Sequence, residues 1–210
     1  MGWLADETGL DKCAANHVAL TPLSFLQRAG DLFATRTAVI YGAERLDYAT
    51  LCGRVGRLGS ALARAGIRPG DVVATLLPNT PAHVEAHFGV PAAGAVLNAI
   101  NTRLEVDTVA YILGHGGARM VLVDSALVPL AEAAIAVADG PAPTLIEVPD
   151  PVAGIAATGR HPTYEAFLAT GDATAPWHLP QDEWESLALN YTSGTTWRPK
   201  GVVYHHRGAY

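Results

Sequence analysis

Apolar and polar positions fall into blocks along this chain, and the period within each block names the element it can form. Thr37–Tyr41 is a short β-branched run suited to a strand. From Thr50 to Ala65, the residues Leu51, Val55, Leu58, Leu62 and Ala65 recur at helical spacing and predict one apolar helix face. Gly66 stops that helix, and Arg68-Pro69-Gly70-Asp71 makes a turn. Asp71–Leu77 reads as a buried strand ending at Pro78. Thr80 then predicts a helix cap with Pro81 at the first helical position, and Pro91 kinks or ends that helix. Glu105–Leu113 is a further helix, followed by a strand at Met120–Val123, a helix at Leu127–Ala138 and a strand at Thr144–Val148. A Pro- and Gly-rich loop, Pro149–Gly159, leads to a short helix at Tyr164–Ala169. The polar stretch Thr170–Ser186 delivers the chain to one more strand, Leu187–Tyr191. Strands separated by helices predict an α/β fold with largely parallel pairing.

Composition keeps this pattern globular and removes several classes. Of 210 residues, 50% are apolar and 16% charged, enough for a large core and too apolar for a disordered polyelectrolyte. Twenty acids against 14 Lys and Arg give a net charge of −6, which argues against a nucleic-acid partner. Acids follow Met1 where a signal peptide needs positive charge, and Asp6 occupies the position where a myristoylation motif needs Ser or Thr. The richest apolar stretch, Val90–Ile100, is short and interrupted by Pro91, Gly94 and Asn98, so no membrane span is expected. Cys13 and Cys52 have no metal-site spacing and read as reduced thiols, which places the expected protein in the cytoplasm.

Candidate chemistry concentrates after the Leu187–Tyr191 strand. In Tyr191-Thr-Ser-Gly-Thr-Thr-Trp-Arg-Pro-Lys-Gly201, four hydroxyl residues, two glycines and one of the chain's two lysines fall within ten positions. Backbone amides of a Gly-containing turn can form an anion-binding nest, hydroxyls add donors, and Lys200 supplies a point charge for phosphate oxygens. A plain connecting turn has the same composition. The order is not that of a Walker P-loop, because Lys200 precedes Gly201 and Val202 follows. Ser193 is not a nucleophile elbow, because Tyr191 stands where the first Gly belongs.

Tyr-Thr-Ser-Gly-Thr-Thr-x-x-Pro-Lys-Gly-Val at 191–202 resembles the phosphate loop of the adenylate-forming superfamily: acyl-CoA synthetases, adenylation domains of peptide synthetases and luciferases. Gly70–Asn79 and Gly94–Leu104 are similar to earlier signatures of the same family. Asn101-Thr102-Arg103-Leu104 and Tyr204–Tyr210 look most like fatty-acyl-CoA and methylmercaptopropionate-CoA ligases. The resemblance implies layered sheets flanked by helices and a two-step reaction. A carboxylic acid, expected to be a fatty acid, attacks ATP to give an acyl-adenylate, and CoA then displaces AMP as co-substrate.

By the same resemblance, Thr192, Ser193, Gly194, Thr195, Thr196, Lys200 and Gly201 cradle the phosphates. Lys200, Thr195 and His206 are implied as catalytic, with His205 fitting the same place as His206, and Thr195 as the hydroxyl nearest Mg²⁺. Residues 1–210 are then expected to be a partial adenylation domain, truncated after the phosphate loop and inactive alone, from an enzyme implied to be a homodimer when full-length. The alternatives are an adenylating ligase serving a carrier protein and a non-catalytic nucleotide-binding fragment. The sequence departs from the family at Trp197, where relatives carry Gly. His83 and His87 lie one helical turn apart in the order H-x-E-x-H, which is not the zinc-protease order. His115 is expected at a helix C-terminus, and the acids from Asp182 to Glu185 on a solvated face.

Overall fold

The computed structural model describes Gly9 and residues 11–192 and 198–210. A helix α1 (Leu23–Phe33) precedes an antiparallel pair, β1 (Thr37–Tyr41) and β2 (Glu44–Asp47). Next comes α2 (Tyr48–Arg64), started by the Asp47 carboxylate, which accepts the Thr50 amide at 2.8 Å. It buries Leu51, Val55, Leu58 and Leu62, the predicted face. The chain leaves α2 through Gly66 at φ +86°, a left-handed conformation that favours glycine.

The rest alternates. In order come β3 (Val72–Leu76), α3 (Pro81–Ala92), β4 (Val96–Ala99), α4 (Val106–Gly116) and β5 (Ala118–Asp124). A 3₁₀ turn then leads into α5 (Val128–Val137), β6 (Thr144–Val148), α6 (Tyr164–Leu168), β7 (Ser186–Thr192), β8 (Lys200–His205) and the short α7 (His206–Ala209). The main sheet has the order β6-β5-β3-β4-β7-β8. Its first five strands are parallel, and β8 returns antiparallel along β7.

Successive strand residues point to opposite faces, and each face has its own core. On one face, Val73, Leu97, Leu122 and Ile146 pack with Leu58 and Leu62 of α2, Val90 of α3 and Phe167 of α6. On the other, Ala74, Leu76, Val121 and Val123 pack with Val109 and Leu113 of α4 and Ala131 of α5. A smaller cluster of Leu23, Leu26, Leu51 and Val55 seats α1 on α2. The α/β expectation with parallel pairing is met.

Four details differ from the sequence reading. The apolar stretch Val90–Ile100 contains β4, which has no period of its own because both its faces are covered. Neither α1 nor β2 was assigned from the sequence, although α1 carries a clear helical period that buries Leu23 and Leu26 on one face. Thr80 stands at the cap position of α3, but its hydroxyl makes no cap bond and is buried without a partner among the described residues. The acids near 183 are structural rather than merely solvated. Glu183 accepts the Leu20 amide at 3.0 Å and pairs with Arg207, while Glu185 accepts the amides of Gln181 and Asp182 at 2.8 and 3.0 Å. These bonds hold both carboxyls below the usual glutamate range and tie the chain before α1 to α7.

Candidate phosphate-binding site

The hydroxyl-rich turn joins β7 to β8, and its two stems are hydrogen-bonded strands. Thr192 pairs in register with Lys200, and Tyr191 with Gly201. Ser193, Gly194, Thr195 and Thr196, with Trp197, lie outside the described residues. Because β7 runs parallel to β4, with Ala188 opposite Leu97, the turn leaves the sheet at the carboxyl ends of its parallel strands. Open α/β sheets bind ligands on that side. Lys200 is exposed there. A Cβ at Gly201 would stand 3.1 Å from Leu189 Cδ1, so a side chain would crowd the stem.

The stems lean on α4 through residues that the sequence left without a role. The Tyr191 hydroxyl is 2.7 Å from His115 Nδ1, and the Arg198 guanidinium lies 5.4 Å from the centre of the Tyr111 ring. Burial pushes the Tyr191 phenol up. Beside them, a cleft of about 720 Å³ opens between α4, the end of α5 and Arg198-Pro199, with Asp107, His115 and Asp139 among its walls. The i, i+4 spacing of Tyr111 and His115 was the signal available in the sequence, since it puts both rings on one helix face.

His206 is placed elsewhere. Its ring is buried at the far end of β8 from Lys200, roughly 17 Å of strand at about 3.4 Å per residue. Its Nδ1 is 2.8 Å from the Thr21 hydroxyl, and burial pulls its pKa down. The neighbouring His205 lies 4.3 Å, centre to centre, from Trp184 and accepts the Gly208 amide at 2.9 Å. Thr192, Lys200 and Gly201 are thus brought together, and His206 is apart from them.

A second polar group, also unforeseen, lies at the carboxyl ends of β3 and β6. Glu85 of α3 is fully buried and accepts from Arg54 of α2 at 2.6 Å and from the Tyr164 hydroxyl of α6 at 2.8 Å. Burial pushes Glu85 up, and it pushes Tyr164 well up with the Glu85 charge adding to it. Against the pull of burial, Glu165 and Glu85 raise Arg54. These residues wall a cavity of about 290 Å³ that also holds Tyr41. Tyr41 donates to Asp150 and is pushed up to about 12 by that bond. His83 and His87 meet as a tilted ring pair 4.7 Å apart. Among the described residues no group of three metal-ligating side chains includes them.

Residues 26–210 match the family described as AMP-binding enzyme. The chain is 46% identical over 216 residues to an acetate/butyrate–CoA ligase named AAE7, peroxisomal, of Arabidopsis thaliana, a match covering 98% of this chain and 38% of that protein. It is 40% identical over 225 residues to the peroxisomal trans-cinnamate:CoA ligase of Petunia hybrida, covering 96% and 38%. The anthranilate CoA ligase AuaEII, solved with anthranoyl-AMP, superposes with a TM-score of 0.82 at 23% identity over 94% of this chain and 37% of its own, a likeness of fold. The chain therefore spans about 38% of the length of these curated relatives. The cytoplasmic expectation is corrected here, because both named relatives are peroxisomal by name. Two cysteines without metal-site spacing do not by themselves distinguish one reducing compartment from another.

Proposed function

Because this chain belongs to the AMP-binding enzyme family, we propose that the whole protein activates a carboxylic acid with ATP and transfers the acyl group to CoA. In the first step a carboxylate oxygen attacks the α-phosphorus of ATP. The bond to pyrophosphate breaks, leaving an acyl-adenylate. In the second, the CoA thiolate attacks the acyl carbon and AMP departs. Negative charge builds on the leaving pyrophosphate, so positioned donors and cations carry the catalysis.

The observation that supports this reading is the register pairing of Thr192 with Lys200 at the carboxyl end of the sheet, with the hydroxyl-rich turn between them. Lys200, exposed at the start of β8, is the cation proposed for the phosphate oxygens. Mg²⁺ on those oxygens would supply further charge neutralisation. Its proposed hydroxyl, Thr195, lies outside the described residues. His206 is proposed as catalytic on the resemblance alone, since its ring in this structure is bonded to Thr21.

The names of the relatives make short aliphatic acids the first substrates to try, with fatty acids in the same panel. The test is acid-dependent ATP–pyrophosphate exchange by the whole protein with acetate, butyrate, hexadecanoate and cinnamate, followed by thioester formation with CoA. Exchange with at least one acid and an acyl-CoA product are expected. Exchange with no acid overturns the reading, and exchange that ends on a carrier protein instead of CoA changes the acceptor. The 210 residues taken alone are expected to form no thioester.

A further inference from the structure

The phosphate-loop reading leaves Tyr111 and His115 of α4 without a task, although both touch the stems of that turn. His115 Nδ1 lies 2.7 Å from the hydroxyl of Tyr191, the residue before Thr192. On the returning stem, the Arg198 guanidinium sits 5.4 Å from the centre of the Tyr111 ring, within cation–π reach. Tyr111 and His115 stack on each other with centres 5.2 Å apart, and Tyr191 meets them edge-on at 6.4 and 5.8 Å. One face of one helix therefore holds the chain both before and after the turn.

The close approach has a structural cause. A Cβ at Gly116 would stand 3.3 Å from the Tyr191 hydroxyl and 3.2 Å from Asn98 Nδ2, so the absence of a side chain at residue 116 eases the close approach of α4 to β7 and β4. Asn98 is fully buried, and neither atom of its amide has a hydrogen-bond partner among the described residues. An unpartnered buried amide costs about 1–3 kcal/mol. A polar group is thus kept, at a cost in stability, in the same contact zone between Gly116 of α4 and the sheet.

We propose that His115 is a positioning residue for nucleotide activation. Through the Tyr191 hydroxyl, and with Tyr111 beneath Arg198, it fixes the stems that carry Thr192 and Lys200, the two described residues proposed to meet a polyphosphate. Sites of this kind work only when their donors are held within about 0.5 Å of the productive arrangement, and the described pairing of β7 with β4 is confined to Ala188 opposite Leu97, well before Tyr191. The consequence for nucleotide rests on the reading in the previous subsection; the grip of α4 on the stems does not.

Two measurements separate the two. The first is trypsin cleavage after Lys200 in the folded protein, which requires the stems to part and involves no nucleotide. Proteolysis of this kind follows the population of the open form, so His115→Ala and Tyr191→Phe are each expected to raise the rate about fivefold, the worth of one hydrogen bond. The double variant should go no further than either single one. The amide of His115→Asn reaches the Nδ1 position and should restore slow cleavage, whereas His115→Leu should not. The second measurement is MgATP affinity of the whole protein, expected to fall about fivefold in His115→Ala and Tyr191→Phe and to recover in His115→Asn. Wild-type cleavage in His115→Ala and Tyr191→Phe, additive effects in the double variant, or unchanged MgATP affinity in a variant whose stems open, each overturns the proposal. A wild-type protein that binds no MgATP, yet shows the expected cleavage pattern, removes the phosphate-loop reading and its consequence for His115 while the grip of α4 stands.

Discussion

At the scale of single residues, two positions break local rules in opposite senses. Thr80 occupies the cap position of α3, where a hydroxyl normally accepts an amide, but its own is buried and unpartnered among the described residues. If the cap rule governed here, removing the hydroxyl would cost about 1 kcal/mol. Because it makes no bond, Thr80→Val should instead leave stability unchanged or raise it by about 1 kcal/mol, by removing an unsatisfied buried group. Urea denaturation of the two proteins reads the sign directly. Trp197 is the converse case, visible in the sequence and lying outside the described residues. The family resemblance implies Gly at this position, and a bulky residue in place of a Gly costs about 1–2 kcal/mol wherever that Gly is left-handed, or obstructs close approach to phosphate. Trp197→Gly in the whole protein should therefore tighten MgATP binding about fivefold, the fold-change that about 1 kcal/mol represents. Isothermal titration checks this, and equal affinity in both proteins would show that the Trp is tolerated.

At the scale of elements, what could be read from the sequence depended on how one-sided each element is. The helix α2 and the strand β6 were legible because Leu51, Val55, Leu58 and Leu62 keep a helical period and Thr144–Val148 is a short run between turn residues. The strand β4 was not, because covering both faces erases alternation and Pro91 and Gly94 crowd its start. The site divides the same way. Thr192, Lys200 and Gly201 could be proposed from the sequence because consecutive residues carry the motif, whereas His115 and Tyr191 are 76 positions apart and meet only through folding. The Arg54, Glu85 and Tyr164 group was illegible for the same reason, since it joins α2, α3 and α6. Replacing Arg54 by Met leaves Glu85 buried beside Glu165 without its cation, a change that costs about 3 kcal/mol when such a pair is broken. Glu85 is already raised by burial, and losing Arg54 raises it further. A carboxyl raised in the folded state binds protons there that the unfolded chain does not. Its stabilising effect is fully present below the ordinary glutamate value and is lost as pH rises from there through the raised folded value. The Arg54→Met deficit should accordingly be largest at neutral pH and shrink towards pH 5, a trend that thermal melts at several pH values can reveal or refute.

At the scale of the whole molecule, the parallel strands β5, β3 and β4 are covered on both faces, whereas β7 is only half-buried and β8 is largely exposed. It pairs only with β7 among the described residues, and its Val202, Val203 and Tyr204 are 38%, 57% and 46% exposed, with Trp184 nearby at 65%. An edge strand with open backbone groups and apolar side chains is a template for another strand. Against this, the net charge of −6 repels copies only over about one Debye length, roughly 8 Å at physiological salt. The local apolar edge should therefore win at short range. A polypeptide of these 210 residues is expected to self-associate as its concentration rises, and more readily as salt screens the charge. Val203→Lys places a cation on the open strand, the device natural edges use, and should return the molecule to a monomer without changing its thermal stability by more than about 0.5 kcal/mol. Sedimentation velocity across a hundredfold concentration range distinguishes the outcomes. If the wild-type sequence stays monomeric throughout, the exposed edge is not sticky. If Val203→Lys associates as strongly as the wild type, association arises from another surface, and the exposed Phe25–Tyr210 stack beside α7 becomes the next place to substitute.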